Sequence, residues 1–253
     1  MWISLTRGQR YVLGLMSVGV IVILWLFVTW KPLVSPLFLP GAEQIVEQLE
    51  KGMSLRQWAG DFAASNFRVL FGFVLAVVIS IPIGVMIGMI PIVDALVSPF
   101  VEMMRYVPVP ALLPLSILWF GIDESQKILI ILFGTMFQLA TAVAFAVRSV
   151  PVGFVETGLT LGLSRWRVLT SIAIPAASPA IYDSIRVSFG WAWSYLVVAE
   201  IVGNSGIGYR LMASQRYLQT GLVFIGIGEL AVLGWFSDVV FRRMRRVLLP
   251  WAQ

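Results

Sequence analysis

The sequence predicts an all-α integral membrane protein with about six transmembrane helices. Three observations carry this. Hydrophobic residues make up 59% of the 253 positions and charged residues only 12%, against about 45–50% and about 25% in soluble domains. The mean hydropathy is +0.90. The apolar residues come in blocks as long as a bilayer's hydrocarbon core is thick, roughly 20 residues for a helix.

The first block, Tyr11–Trp30, ends in the interfacial aromatics Trp25 and Trp30 and is followed by a Pro-rich stretch, Lys31–Pro40. An N-terminal leader is the competing reading, since Arg7 and Arg10 precede an apolar core. The block is of spanning length, however, and closes in Trp-Lys-Pro rather than in small residues. Gly41–Asp61 differs in kind: Glu43, Glu47, Glu50, Lys51, Arg56 and Asp61 accompany Ile45, Val46 and Leu49 on helical spacing, which predicts a polar-faced helix outside the bilayer.

Span two is expected from about Phe67 to Ile90, with Pro82, Gly84 and Gly88 as breakers that neighbouring helices compensate. A short connection with Pro91, Asp94 and Pro99 follows. Span three is interrupted by Arg105, Pro108, Pro110 and Pro114 before the apolar Leu115–Phe120, a broken entry of the kind that lines a cavity. Span four is Gln126–Val147. From Arg148 to Thr170 hydrophobicity falls and Arg148, Arg165 and Arg167 gather around Glu156. Span five follows Pro175 and Pro179 and reaches about Val202; span six covers about Leu222–Phe241.

Six spans put both termini on one side. With that side inside, inner segments carry ten arginines (Arg7, Arg10, Arg105, Arg148, Arg165, Arg167, Arg242, Arg243, Arg245 and Arg246). Outer segments carry seven basic residues: Lys31, Lys51, Arg56, Arg68, Lys127, Arg210 and Arg216. The bias predicts cytoplasmic termini and a cytoplasmic Arg148–Thr170 loop. Because basic residues sit at block ends, the net charge of +5 and pI near 9.9 point to membrane flanks rather than to nucleic acid.

The chain has no cysteine and no histidine, which removes disulfides, thiolate metal sites, thiol nucleophiles and the commonest general base. No metal site is expected. A membrane-embedded enzyme would have only scattered carboxylates to work with. The phosphate-binding pattern G-x-x-x-x-G-K-[ST] is absent, since the only lysines are Lys31, Lys51 and Lys127 and none follows a glycine. Nucleotide chemistry, if the chain depends on it, lies on another subunit.

The inner loop reads Glu156-Thr157-Gly158-Leu159-Thr160-Leu161-Gly162, then nine residues, then Ile172-Ala173-Ile174-Pro175. This resembles the E-A-A-x-x-x-G-x9-I-x-L-P signature of ABC-importer permeases. Glu156, Gly162, Ile172 and Pro175 match; Thr157 and Gly158 replace two alanines and Ile174 a leucine. "VPALLPLSILWFGI" before span four, "LGLSRW" in the loop, "WAWSYLVVAEIV" in span five and "NSGIGY" after it are similar to the nitrate, sulfonate, taurine and bicarbonate branch, and the likeness extends from about Leu39 to the C-terminus.

The resemblance implies a type I importer permease fold. Residues 1–63 would form a first span with a periplasmic amphipathic segment, and residues 64–253 the transmembrane core, with a coupling loop at about 148–170. Glu156, Thr157, Gly158, Gly162, Ser164, Arg165, Ile172 and Pro175 would contact an ATPase through a short coupling helix. The residues themselves show a helix ending at a glycine, then a turn and the basic pair Arg165 and Arg167; an ordinary polar loop with capping glycines is the plainer reading of the same pattern. Implied partners are a pair of cytoplasmic ATP-binding subunits that carry ATP and magnesium, a second permease copy in a homodimer, and a periplasmic or lipid-anchored substrate-binding protein. The implied site of action is the bacterial inner membrane, and the implied cargo a small anion such as nitrate, a sulfonate, taurine or bicarbonate.

Polar groups within spans are costly, on the order of 2.5–3.5 kcal/mol for a charge at a helix centre, and mark candidates for the translocation pathway. Gln138 and Thr141 lie mid-span, three residues apart. Trp191, Trp193 and Tyr195 could shape a cavity or simply pack. Glu200, 21 residues beyond Pro179, lies ~30 Å along span five at ~1.5 Å per residue, either as a gate or at the outer interface. Glu229 needs a partner or a water-filled cavity. Asp183 and Arg186, three apart, suit an ion pair on one helix face. The alternative to an ATP-driven importer is an ion-gradient-driven transporter or channel that uses Glu229 and Asp183–Arg186 as its relay.

Overall fold

The computed structural model describes residues 6–31, 34–52 and 54–252. The side chains of Arg7, Arg10 and Lys51, and positions 32 and 33 of the Pro-rich stretch, lie outside the described residues. Among the described residues every regular element is helical. The helices are α1 (Arg7–Trp30), α2 (Ala42–Gly52), α3 (Leu55–Met89), α4 (Pro91–Arg105), α5 (Val109–Phe120), α6 (Glu124–Arg148), α7 (Val152–Thr160), α8 (Arg165–Val168), α9 (Ile174–Glu200), α10 (Ile207–Arg216) and α11 (Thr220–Leu248). A π-turn, Leu169–Ala173, joins α8 to α9.

Five stretches are long and apolar enough to cross a membrane, and the pair α4 and α5, bent by 97°, makes a sixth if counted as one span. Several boundaries differ from the sequence reading. The expected polar helix over Gly41–Asp61 divides: α2 ends at Gly52, and Arg56 and Asp61 belong to the first turns of the 35-residue α3. The expected connection at Pro91–Pro99 is the helix α4, because Pro91 occupies a first-turn position where no N–H donor is needed. Pro175 likewise sits in the first turn of α9, and Pro179 lies inside that helix rather than before it.

The chain divides into two compact units, Met1–Leu55 with Leu211–Gly228, and Arg56–Arg210 with Glu229–Gln253. In the smaller unit, none of the apolar stretch Val12–Trp30 is buried. There the Thr220 hydroxyl donates to the Leu37 carbonyl at 2.6 Å. Gly221 approaches Gln48 so closely that a Cβ would lie 2.7 Å from the Gln48 side-chain oxygen.

In the larger unit α3, α6 and α9 pack around one apolar core of Val69, Phe73, Ile130, Phe189, Trp193 and Leu196. A second cluster continues it toward Val85, Val143, Val147 and Ile181. The helices come close because glycines face α6. A Cβ on Gly84 would lie 2.5 Å from the Ala140 carbonyl oxygen and 2.6 Å from Val143 Cβ, and one on Gly88 2.8 Å from Val147 Cβ. Gly84 and Gly88 are therefore contact residues of an unbroken helix rather than breakers, a small-xxx-small seam suited to packing without a hydrophobic driving force. The Ser80 hydroxyl bonds the Met136 carbonyl across the same seam at 2.8 Å.

Candidate functional site

The segment carrying the Glu156–Pro175 motif folds as a compact knob. α7 ends at Thr160, and Gly162 follows with φ +81°, a left-handed conformation that glycine adopts without steric cost. The Leu163 N–H donates to the Gly158 carbonyl at 3.1 Å and the Gly162 N–H to the Leu159 carbonyl at 3.0 Å. These paired bonds satisfy the last carbonyls of the helix and reverse the chain. Ser164 then caps α8, accepting from the Arg167 N–H at 3.4 Å.

Gly158 is buried beneath this turn. A Cβ there would lie 2.6 Å from Ile172 Cδ1 and 3.0 Å from Val168 Cγ2, so glycine in place of alanine lets Ile172, on the π-turn, press against α7. Thr157 and Thr160 bond back to the carbonyls of Gly153 and Glu156 at 2.7 and 2.8 Å. Glu156, Arg165 and Pro175 are exposed. So are the apolar Phe154, Leu161 and Trp166, at 54%, 75% and 72%, so the knob exposes apolar side chains as well as charged ones.

The pathway candidates separate into three places. Gln138, Trp191 and Tyr195 line a cavity of about 420 Å³ at the corner between α4 and α5. Thr141 lines a different, smaller cavity of about 150 Å³ with Glu102 and Arg148. Three residues on a helix turn the side chain through roughly 300°, leaving two faces about 60° apart, so α6 presents Gln138 and Thr141 to separate spaces. Its Thr141 hydroxyl is already bonded to the Phe137 carbonyl at 3.0 Å.

Trp193, Glu200 and Glu229 line neither cavity. Trp193 is 6% exposed in the α3–α6–α9 core, edge-on to Phe189 with centroids 6.2 Å apart. Glu229 pairs with Arg210, which also faces Asp61 at 3.9 Å. Glu200 is wholly buried. It accepts from Arg68 Nη1 at 2.5 Å, from the Ser65 hydroxyl at 2.8 Å and from the Gly208 N–H at 2.7 Å.

Arg68 forks from Glu200 to Glu124, with Nε and Nη2 at 2.6 and 2.5 Å from its two oxygens. It also donates to the Ser205 carbonyl at 3.0 Å and hydroxyl at 2.9 Å. Lys127 adds an ion pair to Glu124 at 3.0 Å. Burying such charges is tolerable only with this degree of mutual satisfaction. The cluster fastens α3, α6 and α9 to the turn 201–206, where Gly203 and Gly206 have φ +159° and +108° and the Gly206 N–H bonds Asp61 at 2.7 Å. By position Arg68, Lys127 and Arg210 count among the outer basic residues, and no local pattern in the sequence marks them as members of buried ion pairs.

Asp183 and Arg186 do not pair with each other. Arg186 bonds Asp238 on α11 at 2.5 Å and Asp183 faces Arg245 at 3.4 Å, while Arg242 shares Asp238 at 2.9 Å. Ion pairs thus cross-link α9 and α11, and Asp183, Arg186 and Glu229 each have a partner on another helix. Arg148 pairs with Asp94.

Comparison with known proteins agrees with the fold and with the family resemblance. Residues 80–250 match the family described as binding-protein-dependent transport system inner membrane component. The taurine transport system permease protein TauC of Escherichia coli (strain K12) is 32% identical over 251 residues, 96% of this chain and 91% of TauC. SsuC of Bacillus subtilis (strain 168), a permease protein named for aliphatic sulfonates transport, is 34% identical over 239 residues, 94% of this chain and 87% of its own length. Among solved structures, an amino acid ABC transporter superposes with a TM-score of 0.67 at 14% identity, over 80% of this chain and 97% of that one. The inward-facing MetNI methionine ABC transporter does so with 0.61 at 19%, over 76% and 99%; at these identities the likeness is of fold. With two thirds of its length matched to one family and nearly all of it aligned to TauC, the chain belongs to the binding-protein-dependent transport system inner membrane components, the permease subunits of ABC importers.

Proposed function

We propose that this permease imports a small sulfonate, driven by a pair of ATPase subunits that grip the knob at residues 152–175. The observation that carries the reading is the knob itself: a helix closed at Gly162, packed through Gly158 on Ile172, with Phe154, Leu161 and Trp166 exposed on it in a chain without a phosphate-binding loop. Exposed apolar side chains among charged ones suit a groove on a soluble partner. Glu156, Thr157, Ser164 and Arg165 form its polar rim, and Pro175 begins the helix that carries a push into the core.

In this reading both termini and the knob face the cytoplasm, and residues 1–63 supply the first span with an outer amphipathic segment. Two copies of the chain enclose the path between them, because one unit of six spans is too small to surround a solute and alternate its access. A periplasmic or lipid-anchored binding protein delivers the cargo. ATP and magnesium sit on the ATPase subunits, and their closure draws the two knobs together. The sulfonate assignment is supported by the names of TauC and SsuC.

ATP-dependent uptake of radiolabelled taurine into vesicles holding the permease and its ATPase tests the coupling. Gly162→Val and Glu156→Lys should each abolish uptake while the chain remains in the membrane. Undiminished transport by both variants overturns the assignment of the knob.

A further inference from the structure

The cavity at the α4–α5 corner has a chemistry of its own. It is about 420 Å³, within the range of roughly 300–1,000 Å³ typical of small-molecule sites. Its charged lining residue is Arg105, and no aspartate or glutamate lines it. Glu102, one turn earlier on α4, opens instead onto the neighbouring space with Thr141.

Arg105 has no carboxylate partner among the described residues. It is held by its neighbour: Nη2 donates to the Tyr106 hydroxyl at 3.0 Å, and the guanidinium carbon lies 5.0 Å from the centroid of that ring. One of five N–H donors is used and the rest remain available. This contrasts with Arg68, Arg148, Arg186 and Arg210, each paired with acid. Across the cavity stand Gln138, Ser194 and Tyr195, whose side chains make no hydrogen bond to another described residue. The remaining wall is apolar and aromatic, including Phe133, Phe137 and Trp191. One free cation, three neutral donors without partners and an apolar wall describe a receptor for a molecule with an anionic head and a carbon body.

We infer that this cavity binds an organic sulfonate, its oxygens held by Arg105 with Gln138, Ser194 and Tyr195, and its carbon tail against Phe133, Phe137 and Trp191. The apolar wall gives a bare inorganic anion nothing to bury, so the site selects for sulfonates with a carbon tail over nitrate and bicarbonate. A planar guanidinium matches the two-oxygen edge of a sulfonate better than an ammonium does. The inference deepens the proposed function by locating its cargo; the binding chemistry stands independently of the coupling knob.

The test is equilibrium binding of radiolabelled ethanesulfonate to the full permease–ATPase complex in lipid nanodiscs, without nucleotide and without binding protein. Saturable binding is expected, displaced by propanesulfonate and not by equimolar nitrate or bicarbonate. Arg105→Gln should weaken it by roughly tenfold or more, the loss of a charge-assisted hydrogen bond, and Arg105→Lys should restore part of it. Tyr195→Phe, which keeps the ring and removes only the hydroxyl, should weaken it less. Unchanged affinity in Arg105→Gln, absence of binding to the wild-type complex, or displacement by nitrate as effective as by propanesulfonate overturns the inference. Failure of the coupling reading looks different: binding stays sensitive to Arg105 while uptake ignores Gly162 and Glu156.

Discussion

Arg68 and Glu200, 132 positions apart in the chain, meet at 2.5 Å with side chains 2% and 0% exposed. The pair sits at the centre of the cluster that ties α3 and α9 to the turn 201–206. Removing Glu200 leaves Arg68 to Glu124 alone and strands the buried Ser65 hydroxyl and Gly208 N–H that donate to the carboxylate. Glu200→Ala should therefore cost about 1–3 kcal/mol, seen as a lower midpoint of thermal unfolding in detergent. The double variant Arg68→Met with Glu200→Leu should recover much of that loss. A single Glu200→Ala variant as stable as the parent would show that the pair does not hold the turn.

The seam between α3 and α6 leads to a second prediction. The nearest neighbour of a Cβ on Gly84 is a backbone carbonyl, which has no rotamer to yield. Gly84→Val should destabilise the helix pair by about 1–3 kcal/mol or more, whereas Gly190, with nothing within 4 Å, should accept alanine freely. Thermal unfolding of the two variants, measured side by side, checks the contrast.

At the knob, Gly158→Ala brings a methyl group against Ile172 Cδ1 and Val168 Cγ2. The first is the free end of a flexible chain, so the variant should couple weakly rather than fail. Gly158→Val should fail, and Ile172→Ala should rescue Gly158→Ala by making room. The readout is the amount of ATPase that copurifies with each permease variant.

Gly134 stands directly under Tyr195: a Cβ there would lie 2.7 Å from the ring. Gly134→Val should push Tyr195 into the cavity and reduce ethanesulfonate affinity without altering Arg105. Affinity equal to the parent's would show that the ring is not placed by this contact.

Span positions and the knob were legible in the sequence because their signals are local. Blocks of apolar residues mark α1, α3, α6, α9 and α11, and the left-handed turn at Gly162 announces itself as a glycine just past a helix end. What escaped notice depends on long-range placement. The spacing of Asp183 and Arg186 satisfies a pairing rule within one helix, yet α11 supplies Asp238 and Arg245 at better geometry. Glu200 has its counter-ion, Arg68, 132 positions away in the chain, so neither residue's local sequence announces the other. Arg105 looked like a membrane flank; only the 97° turn between α4 and α5 brings it opposite Gln138, Ser194 and Tyr195. Gln138 and Thr141 looked like one polar patch and belong to two.

The closeness of α3 to α6 at Gly84 and Gly88 has a mechanical result. Where backbone touches backbone there is no compliant layer of side chains to absorb a load, so the two helices resist sliding and bending together. In the coupling proposed above, thrust arriving at Gly158 and Ile172 would enter α9 and meet a stiff beam, and would be taken up instead where the helices are irregular, at the π-turn 169–173 and at the 97° corner beside Arg105.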